Sequence, residues 1–175
     1  MRVALTGGIA CGKSLVATYL NELGLETVDA DDIVHRLLPA EERMRLAKIV
    51  FRDAAARHEL EARLHPLVKR EIACRQAQGF VIAVVPLLFE VHWNGEYDII
   101  CCVRSEKEAQ VSRMMTTRGY TREEAEARLA AQMPVAEKAA QSHYVIENNG
   151  SREELKRETE KFAKWLKNLM CSQVR

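Results

Sequence analysis

The stretch from Arg2 to Leu20, RVALTGGIACGKSLVATYL, sets a short apolar run directly before the spacing G-x-x-x-x-G-K-[ST], filled by Gly7, Gly12, Lys13 and Ser14. Val3, Ala4 and Leu5 predict a buried strand. The glycines then let the chain curl so that successive backbone N–H groups point inward as an anion-binding nest. Val16, Leu20 and Leu23 share one face of the helix that follows, and Gly24 is its stop signal. That helix adds unpaired N–H groups and a positive dipole end, Lys13 adds a full charge, and Ser14 offers a hydroxyl suited to Mg²⁺. A glycine turn between strand and helix occurs in many α/β chains that hold nothing. The full spacing, placed after a strand and opening a helix, predicts instead a phosphate loop for a nucleoside triphosphate.

The rest of the chain alternates strand and helix. ETVDAD reads as a second strand ending in acids, and FVIAVVP (80–86), DIICCV (98–103) and YVIEN (144–148) are apolar runs of strand length. Short apolar strands separated by helices predict an α/β fold with a parallel sheet covered on both faces. Capping boxes mark three helix starts, at Ser105 with Glu108, Thr121 with Glu124, and Ser151 with Glu154. Leu155, Phe162, Leu166 and Leu169 fall near one face of the last helix, which is expected to close the sheet. At 175 residues, 47% of them hydrophobic, one domain is the expectation for residues 1–175. Lys and Arg number 26 against 25 Asp and Glu, so no global field favours nucleic acid or an anionic membrane. The five cysteines contain no C-x-x-C pair, no signal peptide precedes the first strand and no apolar run reaches membrane-span length, which together predict a soluble cytoplasmic protein.

Two segments depart from the alternation. Residues from Asp31 to Gly79 are helical in pattern, with a charged stretch EERMRLAKIVF, Asp53 as a cap for AAARHELEARL, Pro66 at a helix start and Gly79 as the stop. An insertion there is placed to cover an acceptor substrate. Residues 104–138 hold Arg113, Arg118, Arg122 and Arg128 in two helices joined at RGYT. These arginines fit either a solvated, salt-bridged hairpin or a lid over a polyphosphate, which needs only one or two of them facing inward.

VDADDI is the second chemical constellation. Asp29 and Asp31 lie two apart, so both point to one side if the strand persists, and Asp32 faces away. Ligands of open parallel sheets gather outside the carboxyl ends of the strands, where such a carboxylate can orient a hydroxyl, take its proton or hold magnesium through water. Helix capping by Asp31 or Asp32 is the other reading, favoured for Asp32. Cys11, at a helix N-terminus beside Lys13, has the surroundings of a reactive thiolate that ATP would shield.

The order LTGGIACGKS, VDAD, LHPLV, VVPLLFE, Arg113 with Arg118, Gln132 with Lys138, and YVIENNG resembles the dephospho-coenzyme A kinase family over almost the whole chain. The resemblance implies a P-loop NTPase fold of the nucleotide-kinase kind, with a five-stranded parallel sheet, a helical substrate-binding insertion (31–79) and a helical lid (104–138) on a core of about 1–30, 80–103 and 139–175. It implies transfer of the γ-phosphate of ATP to the ribose 3′-hydroxyl of dephospho-coenzyme A, with Mg²⁺. It assigns the ATP phosphates to Gly8, Ile9, Ala10, Cys11, Gly12, Lys13 and Ser14, with Ser14 on the metal, and Asn148 to the border of the adenine. Asp31 is then the catalytic base, helped by Lys13 and by Arg113 and Arg118 at the lid hinge. Thr6 and Asp29 lie beside the acceptor, His65 and Pro66 in the coenzyme-binding helices, and Leu87 in the Pro86–Glu90 stretch that shapes its pocket. This chain departs from the family pattern at Cys11, Leu15 and His143, and its interval from DADDIVHRLLP to LHPLV is shorter than usual. A weakened hold on the acceptor is the expected result. Another small-molecule kinase on this fold, or a nucleotide-binding regulator, are the alternative readings, since loops choose the acceptor.

Overall fold

A computed structural model describes residues 1–39, 41, 42, 46 and 53–172. Five strands, β1 (Val3–Gly7), β2 (Glu26–Asp29), β3 (Val81–Val84), β4 (Ile99–Arg104) and β5 (Tyr144–Glu147), form one parallel sheet in the order β2-β3-β1-β4-β5. In register, Val3 and Leu5 face Ile82 and Val84 on one side, and Leu5 pairs with Cys101 on the other. All five strands match apolar runs read from the sequence to within a residue or two.

Alternation along the strands divides the core into two layers. Val3, Leu5, Val84, Cys101, Val103 and Ile146 bury one face against α1 (Lys13–Glu22) and the last helix, α7 (Arg152–Ser172), through Val16, Leu20, Leu155, Phe162 and Leu166. Ala4, Val28, Ala83 and Ile100 bury the other face against α2 (Ala30–Leu37) and α3 (Ala54–Gln78), through Ile33, Val68 and Ile72, with Leu88, Phe89 and Trp93. The hairpin of α4 (Lys107–Arg118) and α5 (Arg122–Ala130) has a small cluster of its own, Val111, Met114 and Ala125, which reaches Ile9 and Ala10. A short helix, α6 (Val135–Ala140), lies against β4 and β1.

Local chemistry sets most boundaries as read. Asp53 caps α3, accepting from the N–H groups of Ala55 and Ala56, and both expected capping boxes at Thr121 and Ser151 form. Three expectations are corrected. Ser105 does not cap α4, because its hydroxyl is donated to the Asn148 carbonyl and Glu106 takes the cap position. Pro66 does not start a helix: α3 runs through it for 25 residues. The second strand ends at Asp29, whose carboxylate accepts from the Asp31 N–H and starts α2, so neither Asp31 nor Asp32 is the cap. Most of the charged stretch EERMRLAKIVF lies outside the described residues. Among the described residues no helix is long and apolar enough to cross a membrane.

Candidate active site

The turn after β1 lies at the carboxyl end of the central strand, whose connection runs towards β2 while those of its neighbours β3 and β4 run the other way, which opens a crevice. Its backbone needs glycine at two places. A Cβ on Gly7, at φ +147°, would run into the Val103 carbonyl, and one on Gly12, at φ +93°, into the Asn148 amide. Ala10 also takes a left-handed φ of +57°. Three successive carbonyls of the loop are tied down by side chains behind it. Gln110 Nε2 donates to Ile9 O at 2.7 Å, Arg113 Nη1 to Ala10 O at 3.3 Å, and Asn148 Nδ2 to Cys11 O at 2.8 Å. With its carbonyls held outward, the loop presents N–H groups, and the first turn of α1 adds N–H groups that no helical carbonyl can reach.

Lys13 folds over this loop, its ammonium donating to Gly7 O at 3.0 Å and Gly8 O at 2.8 Å. Burial pushes its pKa down, against the opposing pull of nearby Asp31. Lys13, Ser14, Asp29, Asp31, Arg113 and Arg118 all line one cleft of about 460 Å³ in front of the loop. The two aspartates reach it differently from the strand reading: Asp29 is the last strand residue and is occupied as a cap, and Asp31 enters from the first turn of α2. Burial raises the Asp29 pKa, and the Asp31 and Asp32 carboxylates add to the effect. Among the described residues no three His, Cys, Asp or Glu side chains gather as a metal cage. Ser14 with Asp29 and Asp31 across the cleft fits a Mg²⁺ that keeps waters and arrives on phosphate oxygens.

The arginines separate by contact. Arg113 is a strut, its guanidinium also donating to Ser105 Oγ at 2.8 Å and Asn148 O at 2.7 Å. Arg118 is exposed at the end of α4 and faces the cleft without such ties. Arg122 pairs with Glu108 and Glu126 on the surface, and Arg128 lies over the Tyr120 ring at 4.3 Å.

Other expected residues lie elsewhere. Asn148 is spent on the loop and on Arg113. Thr6 is buried and donates to the Pro86 carbonyl at 3.3 Å. His65 packs edge-on against Trp93 at 5.2 Å, while Pro66 and Leu87 are exposed; none of the three lines the cleft. The reactive Cys11 is corrected: its side chain is 0% exposed, and burial raises the thiol pKa more than Lys13 lowers it. His143 accepts from the Ile100 N–H through Nδ1 at 3.0 Å and so pins the entry to β5. Sequence reasoning missed the pairing of buried Lys138 with partly exposed Glu90, 2.7 Å apart beside the cleft. Their separation of 48 residues carries no local signal.

The sequence model of the family "Dephospho-CoA kinase" matches residues 1–43 and 39–154. A dephospho-CoA kinase of Geobacter sulfurreducens is 40% identical over 193 aligned positions, covering 94% of this chain and 97% of that protein. A solved structure from Thermus thermophilus superposes with a TM-score of 0.79 at 32% identity, over 95% of this chain and 97% of the other. A dephospho-CoA kinase of Campylobacter jejuni superposes with 0.70 at 25%, over 94% and 96%. The family match is split into two segments that overlap at residues 39–43, and the 193 aligned positions exceed the 175 residues of the chain, so that alignment carries positions this chain lacks. With the phosphate loop, the aspartates and the arginines on one cleft, and with these matches spanning nearly all of its length, the chain belongs to the dephospho-CoA kinase family.

Proposed function

We propose that this protein transfers the γ-phosphoryl group of ATP to the ribose 3′-hydroxyl of dephospho-coenzyme A, giving coenzyme A and ADP, the final step of coenzyme A biosynthesis. The bond between the 3′-oxygen and Pγ forms as the bond from Pγ to the β,γ-bridging oxygen breaks, and the hydroxyl proton passes to the Asp31 carboxylate. The observation that carries this reading is the convergence of Asp31 and Lys13 on the cleft in front of the phosphate loop. The loop N–H groups and Lys13 hold the phosphates, moving Lys13 off the Gly7 and Gly8 carbonyls on which it rests. Arg118 supplies charge to the transferring group from the lid. Mg²⁺, with Ser14 as its protein ligand, neutralises phosphate charge when bound. The substrates are these two small molecules, with no nucleic acid or membrane partner, and the five unpaired cysteines fit work in the cytoplasm.

ADP release measured with dephospho-coenzyme A and a panel of other hydroxyl acceptors, with and without Mg²⁺, tests the reading. Turnover confined to dephospho-coenzyme A and dependent on the metal is expected. Faster turnover of a different acceptor would reassign the substrate, and no turnover of any acceptor would leave a nucleotide binder.

A further inference from the structure

Lys138, on α6, is 0% exposed and holds two distant segments at once. Its ammonium pairs with Glu90 Oε1 at 2.7 Å and donates to the Pro86 carbonyl at 3.0 Å. Glu90 Oε1 in turn accepts from the Met133 N–H at 3.1 Å. One end of this tie is therefore the loop after β3, and the other is the stretch between the lid hairpin and α6. Pro86, itself an anchor point, and Gln132, next to Met133, both line the phosphate cleft. Glu90 Oε2 is buried with no hydrogen-bond partner among the described residues.

Such an arrangement is a poor way to gain stability. Lys138 is wholly buried and Glu90 only partly exposed, and taking such charges largely out of water costs roughly what their attraction returns, so apolar side chains of similar volume would do as well or better. The orphaned oxygen adds a further cost. What the pair does supply is a fixed distance. We propose that Glu90 and Lys138 are positioning residues, which lock the loop after β3 to the base of the lid and thereby hold Gln132 against the reacting phosphates. The proposal rests on the kinase reading above and adds to it a reason why the lid closes in one register over the acceptor.

The test uses the paired substitution Glu90→Gln with Lys138→Met, which removes both charges together and leaves no uncompensated one, alongside Gln132→Ala and the triple variant. Turnover, acceptor KM and ATP affinity are measured for each. The paired variant should lose about 10- to 100-fold in kcat, as small misplacements do, with ATP affinity held within about threefold. Gln132→Ala should cost a similar factor alone and little more in the paired background, because the tie acts through it. A folded paired variant with kcat within about twofold of wild type, or a Gln132→Ala loss of equal size in both backgrounds, would overturn the proposal. Should the paired variant fail to fold, Gln132→Ala with wild-type kcat overturns it on its own. A wild-type enzyme inactive with ATP and dephospho-coenzyme A would overturn the kinase reading and this proposal with it, whereas an active one with indifferent variants overturns the proposal alone.

Discussion

Asp29 and Asp31 stand two residues apart and sit differently, because the strand ends between them: Asp29 caps α2 and Asp31, in its first turn, is the base we propose. Asp31→Asn keeps the shape of the side chain but cannot take a proton. Turnover should fall by about 10²- to 10⁴-fold, with ATP affinity little changed, as kcat and binding isotherms would show. Asp29→Asn should cost much less turnover, since asparagine caps a helix as well as aspartate does. Its effect on stability has a definite sign. The raised folded pKa means that the fold favours neutral Asp29, a contribution present below the ordinary value of 3.8 and lost as pH rises through the folded value. At neutral pH the asparagine variant should therefore be at least as stable as wild type, and thermal unfolding should show that advantage shrinking as the pH is lowered towards 3.8. Cys11 yields a prediction opposite to its sequence environment. A thiol alkylating agent applied to the native enzyme should label the exposed Cys74 and Cys171, sparing Cys11, Cys101 and Cys102 and leaving activity intact. Peptide mapping that finds Cys11 labelled, with activity lost, would show that the loop opens far more readily than its buried packing implies.

Helix α4 carries two arginines that the sequence treats alike and the packing separates. Arg113→Ala removes the donor to the carbonyls of Ala10 and Asn148 and to the Ser105 hydroxyl, so it should lower stability by about 1–3 kcal/mol and weaken ATP binding. Arg118→Ala breaks no such tie and should lower kcat more than ATP affinity. Arg122→Ala loses two solvent-exposed ion pairs, which water and salt screen, and should leave both quantities near wild type. Thermal unfolding with and without ATP, read beside kcat, separates the three. The same contrast explains what was legible. Strands, the Thr121 and Ser151 caps and the apolar face of α7 follow from neighbours within four residues, and all were readable. Ser105 looked like a cap until Asn148, 43 residues away, claimed its hydroxyl. Pro66 looked like a start because its missing N–H is harmless there, yet helix former on both sides carried α3 through it. Cys11 looked reactive because sequence shows charge nearby but not burial.

At the scale of the molecule, the sheet order divides the labour. The β4–β5 side brings Ser105, Asn148 and α4 to the back of the phosphate loop, and the β2–β3 side brings Asp29, Asp31 and the segment reaching to α3. The second includes the interval at residues 39–43 where the family match splits, between α2 and α3 and distant in sequence from the phosphate loop. Shortening should therefore act on the acceptor alone: a smaller surface loses binding that is uniform between ground and transition states, which raises KM and spares kcat. The prediction is a dephospho-coenzyme A KM that falls several-fold when the corresponding residues of the Geobacter sulfurreducens protein are grafted into the interval at 39–43, with ATP affinity and kcat nearly unchanged. Each tenfold drop in KM corresponds to about 1.4 kcal/mol of recovered acceptor binding. Initial-rate kinetics on graft and parent decide the matter. An unchanged acceptor KM would mean that α2, α3 and the loop after β3 already supply the whole acceptor surface, and a fall in kcat would mean that the interval shapes the closed, reacting state.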